Sequence, residues 1–166
     1  MNIRIGYGTD IHRLVPGRPL IVGSVRIESE LGADGHSDAD VLLHAVTDAI
    51  LGSLAAGDIG THFPDSDERW QGAESMVFLR FAAGLLKEHG LAVANLDSTV
   101  HLEKPRLMPY IDDMRKGIAD ALEVDANRIN IKAKTGEGVG AVGKAEAIRA
   151  EAVVLLSTPK RRTVNE

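Results

Sequence analysis

The sequence predicts a two-layer α/β domain built on a mixed sheet, and three observations carry that prediction. Segments of strand-like alternation are interleaved with amphipathic helical ones along the chain. Their order is not the strict strand–helix–strand repeat that an all-parallel sheet requires. Neither an internal repeat nor a linker divides the 166 residues, which suffice for one real core. Composition agrees: 44% hydrophobic and 26% charged residues are ordinary for a globular protein.

Taken in order, NIRIGYG places Ile3, Ile5 and Tyr7 on one face of a first strand. RPLIVGSVRIE holds two short apolar runs around Gly23 and Ser24, which reads as a hairpin. The glycine-rich LGADGHS reads as a connection. Residues 38–54 read as a helix with Val41, Leu42, Ala45, Val46, Ala49 and Ile50 as its apolar stripe. AAGDIGTHFPDSDERWQGAES is a long polar loop, a length usually reserved for function or disorder. A second helix is expected from about residue 74 to 89, stopped at Gly90. NLDSTVHLE alternates as a strand, PRLMPYIDDMRKGIADALEV contains a third helix, and NRINIKAK and EAIRAEAVVLLS supply the last two strands. The expected layout is one domain over residues 1–157 and a basic polar tail at 158–166 that includes Arg161 and Arg162.

The formal net charge of −5 argues against nucleic acid as the main partner. No apolar run is long enough to span a membrane, and the N-terminus lacks a signal-peptide core, so a cytoplasmic location is expected. Cysteine is absent, which excludes disulfides and thiolate metal sites. Any transition-metal site must therefore use histidine and carboxylate. GVGAVGKA, residues 138–145, imitates both a dinucleotide fingerprint and a P-loop. Context rules out both: Ala145 stands where a P-loop needs Ser or Thr, and only residues 144–166 remain for further strand–helix units. A backbone-rich loop is expected there instead.

Asp10 and His12, two apart in a strand, project to the same side. His44 lies inside the first helix, with Asp40 and Asp48 one turn to either side. His36 and Ser37 precede that helix, and Asp58, His62, Asp65 and Asp67 cluster after it. Catalytic zinc keeps three protein ligands and one open position, and Asp10, His12 and His44 meet that need if strand and helix pack together. Six histidines offer other combinations as well. From the residues alone, the reading is a metal-binding hydrolase of some kind. Asp40 and Asp48 either cap or solvate the helix, or Asp40 orients a ligand histidine. His62 and His101 read as structural or exposed, and Trp70 as packing locally.

GTDIHRL, HSDADVLLHAVTDAILG and GDIGTHFPDSD, in this order and spacing, resemble the 2-C-methyl-D-erythritol 2,4-cyclodiphosphate synthase family, the cyclases of the non-mevalonate isoprenoid pathway. The resemblance continues through EKPRLMPYI and IKAKTGEGVGAVG to the last strand. It implies ferredoxin-like α+β subunits with a mixed four-stranded sheet, helices on one face and a small hairpin. These would assemble as a homotrimer with active sites between neighbours. It also implies a phosphorus–oxygen lyase acting on a cytidine diphosphate compound: 4-diphosphocytidyl-2-C-methyl-D-erythritol 2-phosphate becomes the 2,4-cyclodiphosphate and CMP, by attack of the 2-phosphate on the β-phosphorus.

The same resemblance implies residue roles. Asp10, His12 and His44 would hold zinc, with manganese as the alternative, and Glu137 would reach a magnesium or manganese ion on the diphosphate. His36 and Thr135 would stabilise charge at the reacting phosphorus, His36 and Ser37 from a loop that approaches the phosphates. Asp58, Ile59 and Gly60, continued by Phe63, Pro64, Asp65, Ser66 and Asp67, match the segment that binds the methylerythritol part. Leu102, Glu103, Lys104, Pro105, Arg106, Leu107 and Met108 match the stretch that holds cytidine from the adjoining subunit. Lys134, Thr135, Gly136 and Glu137 match phosphate and cytidine contacts, though Lys134 and Gly136 stand where threonine or asparagine is common. Ala141 and Lys144 replace a Phe and an Arg found in some members at the end of the trimer axis, where an isoprenoid diphosphate can bind. A phosphohydrolase releasing CMP to water, and a trimeric binding protein with a structural metal, are the competing readings.

Overall fold

The protein is described from a computed structural model that covers residues 3–159, so positions 160–166 of the expected tail, with Arg161 and Arg162, lie outside the described residues. One long strand, β1 (Ile3–Pro16), runs through both the first apolar alternation and the Asp10–His12 pair. β2 (Leu20–Val22) and β3 (Val25–Ile27) form the expected hairpin, and its turn residues Gly23 and Ser24 take φ of 59° and 66°. The main sheet adds β4 (Leu31–Ala33), β5 (Ala92–His101), β6 (Ile129–Lys134) and β7 (Ala147–Ser157). β5 and β6 are parallel and the other pairs antiparallel, so the sheet is mixed as predicted.

The strand count differs from the expected four. β4 (Leu31–Ala33), inside the stretch read as a connection, pairs with Leu14–Pro16 and gives five strands in the order β4-β1-β7-β5-β6. Three residues carry no alternation that a sequence reading could detect. Gly32 fits there because a Cβ would stand 2.1 Å from the Arg18 carbonyl oxygen.

Five α-helices are found among the described residues: α1 (Val41–Ser53), α2 (Ile59–His62), α3 (Met76–Glu88), α4 (Ile111–Leu122) and α5 (Gly140–Gly143). α1 starts at Val41 rather than at residue 38. The Asp40 carboxylate accepts the Leu43 N–H at 3.0 Å as an N-cap, and Ala39 before it is left-handed at φ 56°. The α1 stripe is buried as predicted, but so are Leu43, Thr47 and Leu51, because the helix lies between the sheet and α3. The long polar loop is partly ordered into α2 and a 3-10 turn at Glu68–Trp70. Within GVGAVGKA, Gly143 serves close packing, a Cβ there standing 2.3 Å from the Gly138 carbonyl carbon, whereas Gly138 and Gly140 take φ of 75° and 66° with open space around them. No helix among the described residues is long and apolar enough to cross a membrane.

α1 packs directly on β1, and this contact positions the site. A Cβ on Gly6 would lie 1.7 Å from the Ala49 carbonyl oxygen, and one on Gly8 would lie 2.1 Å from that of Ala45. Two strand residues advance about 6.7 Å and four helical residues about 6 Å, so the antiparallel elements stay in step. One further step along the same face of β1 brings Asp10, then His12, to the His44 end of the helix. The helices cover only this face of the sheet. Ile148, Ala150, Ala152, Val154 and Leu156 of β7 point into the core. On the opposite face Ile5 and Tyr7 are 70% and 57% exposed, and Ile3, Ile11 and Val153 are exposed with them. The alternation read at Ile3, Ile5 and Tyr7 is real, yet its apolar residues form the uncovered face, because the core side needs glycine.

Candidate metal centre and active-site cleft

Asp10 and His12 of β1 and His44 of α1 bring three ligand atoms together. The Asp10 Oδ2 lies 2.9 Å from His12 Nε2 and 2.9 Å from His44 Nδ1, and the two nitrogens are 3.2 Å apart. A tetrahedral zinc with bonds near 2.0–2.1 Å has ligand–ligand edges of about 3.3 Å, close to this triangle. Two imidazole nitrogens and one carboxylate oxygen are a donor set suited to zinc. His12 donates from Nδ1 to the Asp34 carbonyl oxygen at 2.9 Å, which leaves its Nε2 lone pair facing the other two ligands. The residues therefore fit a divalent transition metal.

Charge at the cluster is coupled. Burial pushes the Asp10 carboxyl up, but hydrogen bonds and charge from His12 and His44 outweigh it and hold the group well below the usual carboxylate range. Burial lowers the His12 pKa, yet the Asp10 contact and the Asp34 carbonyl raise it above 6.5 overall. In the absence of a cation, protons hold these atoms together. A metal would take their place.

The triad forms part of the wall of a cleft of about 550 Å³ that is also lined by His36, Ser37, Ile59, Gly60, Phe63, Pro64, Asp65, Ser66, Trp70 and Phe78. Most of the sequence-predicted residues of the first three motifs are thus brought together. Asp58 and Asp67 do not line it. Asp58 caps α2 through Thr61 at 2.8 Å, and Asp67 caps the 3-10 turn and pairs with Arg69. The Asp40 side chain makes no hydrogen bond to a ligand histidine. Its buried carboxylate accepts N–H groups of Gly23, Ser24 and Leu43, and burial pushes its pKa up to about 6 against those three bonds. Asp48 accepts the Ile59 N–H at 2.8 Å and so ties the cleft wall to α1. His62 bonds the Ala56 carbonyl oxygen, and Trp70 stacks edge-on to Phe63 at 4.9 Å, both local roles as expected.

A second cluster forms where the parallel strands β5 and β6 end. Leu102 N–H bonds the Lys134 carbonyl oxygen at 2.9 Å, and Glu103 accepts the Gly136 N–H at 2.8 Å. The Thr135 hydroxyl donates to Glu137. These segments, 102–108 and 134–137, adjoin one another but contribute nothing to the lining of the Asp10 cleft. Ala141 borders a separate groove of about 560 Å³ beside Ile11 and Arg13, and Lys144 does not line it.

Three residues near the triad escape a reading of the sequence. The Asp34 carbonyl holds His12. Ser75, fully buried, places its Oγ 2.8 Å from His44 Nε2, and Asp38 accepts from the Ser75 hydroxyl and, at 3.0 Å, from its N–H. Asp38 and Ser75 are far apart in sequence, so no local spacing announces the pair.

Known proteins resemble this chain over nearly its whole length. The model of the YgbB family matches residues 3–157. The 2-C-methyl-D-erythritol 2,4-cyclodiphosphate synthase of Laribacter hongkongensis is 52% identical over 95% of this chain and 98% of its own length. That of Thermosynechococcus vestitus is 54% identical over the same shares. A solved 2C-methyl-D-erythritol-2,4-cyclodiphosphate synthase with CDP bound superposes with a TM-score of 0.86 at 41% identity, covering 93% of this chain and all of that one. A fold and a sequence that align over almost their entire length leave one assignment: the chain belongs to the YgbB family.

Proposed function

We propose that this chain is a cyclase that converts 4-diphosphocytidyl-2-C-methyl-D-erythritol 2-phosphate into 2-C-methyl-D-erythritol 2,4-cyclodiphosphate and CMP. The observation that carries the reading is the convergence of Asp10, His12 and His44 in the wall of a cleft whose other walls are largely loop-borne. Relatives named for this synthase activity, and a structural neighbour solved with CDP, support the substrate class.

The nucleophile in this reaction is already an anionic phosphate, so no strong base is needed; the protein must fold the substrate and neutralise charge. Asp10, His12 and His44 would hold zinc or manganese. Such an ion supplies Lewis acidity toward a phosphate oxygen when bound. His36, from the loop before α1, and Thr135 would donate to the charge that develops on the reacting phosphorus. Ile59, Gly60 and Phe63 to Ser66 would enclose the methylerythritol part and keep water from competing with the internal nucleophile. Glu137 would orient a magnesium ion on the diphosphate, and Leu102 to Met108 with Lys134 to Gly136 would hold cytidine. These last segments belong to the second cluster, so one complete site needs two subunits. The uncovered apolar strip of Ile3, Ile5, Tyr7, Ile11 and Val153 supports a trimer packed through its sheets.

A phosphorus NMR time course with the substrate, zinc and magnesium tests the reading. Cyclic diphosphate growing in step with CMP is expected. CMP with a linear product would make the protein a hydrolase, and an unchanged spectrum would make it a binding protein.

A further inference from the structure

We infer that Ser75, locked by Asp38, is the positioning residue that presents His44 to the metal through Nδ1. The inference rests on the metal reading of the Asp10–His12–His44 triad. Ser75 is the N-cap of α3, the position where a serine hydroxyl ordinarily accepts a backbone N–H two or three residues on. Here the side chain makes no capping bond. Forgoing a cap departs from the local preference of this position, and breaking a local rule in this way marks a site where another demand wins.

That demand is visible in the direction of the hydrogen bonds. Asp38 accepts the Ser75 hydroxyl on Oδ1 and the Ser75 N–H on Oδ2, so a carboxylate takes both donors of one residue. A carboxylate can only accept, so the single hydroxyl proton of Ser75 points at Asp38. The Ser75 Oγ then offers a lone pair to His44 Nε2 at 2.8 Å. Nε2 must carry a proton, so Nδ1, beside Asp10 and His12, is the nitrogen left for a metal to take. Ser37 Oγ also lies near Nε2, at the longer distance of 3.2 Å, and accepts the Ala39 N–H. Ser37 sits on the loop beside His36, whereas Ser75 is rooted in a helix and fully buried. The rigid partner sets the ring. Both ligand histidines are thus fixed from behind, His12 by a backbone carbonyl and His44 by a serine that a carboxylate orients.

The test compares Ser75→Ala and Ser75→Thr with the parent, using zinc and cobalt as probes. Zinc affinity measured against a chelator should fall about 10- to 100-fold in Ser75→Ala, the usual cost of losing such a partner. The visible bands of the cobalt protein should shift in Ser75→Ala and return toward the parent in Ser75→Thr, which keeps the hydroxyl. Nitrogen-15 NMR of the zinc-loaded parent should show His44 protonated at Nε2 and free of a proton at Nδ1; this reading stands even if Ser75→Ala fails to fold. Unchanged affinity and cobalt bands in Ser75→Ala, or a His44 proton on Nδ1, would overturn the inference alone. A parent that binds neither metal would overturn the metal reading with it.

Discussion

Replacing Gly8 with alanine tests the contact that sets the distance between β1 and α1. The new Cβ would stand 2.1 Å from the Ala45 carbonyl oxygen and 2.6 Å from the Ala49 nitrogen, where ordinary contact begins at 3.4 Å. Both obstacles are backbone, so no side chain can swing aside. Clearing the carbonyl requires the helix to move by the difference, about 1.3 Å. His44 is the residue before Ala45 and moves with it, while Asp10 and His12 stay on the strand. Metal ligands tolerate errors of about 0.2 Å, so the triad would lose its closure. Overpacking of this kind costs about 1–3 kcal/mol, or roughly 2–12 °C in Tm for a chain of this length. A displacement near 1 Å also lowers turnover by about 100-fold. Thermal melts, zinc titration and turnover of Gly8→Ala measure all three. Gly52→Ala is the control: on the same helix, its nearest neighbour is the Tyr7 carbonyl oxygen at 4.0 Å, so it should fold and bind zinc as the parent does. A Gly8→Ala protein with parental Tm and zinc affinity would refute the reasoning.

Asp40→Asn places an amide NH₂ against backbone N–H donors of the β2–β3 turn or of α1, so a melt at pH 7.5 should show a loss of about 1–3 kcal/mol; parental Tm would refute it. His12 has its pKa raised in the folded, metal-free protein, so the stability it contributes is full below pH 6.5 and is lost as pH rises through the folded value. Zinc must displace that proton, so zinc affinity should rise over the same window, and melts and titrations that are flat across it would count against the coupling. Val153→Asp puts a carboxylate in the middle of the uncovered face, between Tyr7 and Asp97 on the neighbouring strands. Sedimentation should show a parental trimer and a dissociated variant; a variant that keeps the parental mass would place the interface elsewhere.

Much of the site is legible in the sequence. Asp10 and His12 share a side because strand side chains alternate, and His44 follows from a helical stripe that runs past it. The mixed sheet and the Gly23–Ser24 hairpin are equally legible, since turn chemistry and periodicity are local. Elsewhere local pattern misleads. Ile3, Ile5 and Tyr7 alternate as a core face would, yet the core side of β1 is Gly6 and Gly8, where a helix backbone takes the place of side chains. β4 is too short to carry a period, so LGADGHS reads as loop throughout.

Residue types and local periods were enough to name the possible ligands, because absent cysteine and the strand and helix spacings leave few choices. The motifs also carried the family resemblance. It took the folded chain to bring three particular donor atoms within 2.9–3.2 Å of one another, to make Asp40 a cap and Asp48 a tie to the cleft wall, and to stand Ser75 behind His44. Folding also separates the 102–108 and 134–137 segments from the Asp10 cleft. The reason is physical: backbone periodicity acts over a few residues. These contacts join positions on different elements, and packing alone sets their distance.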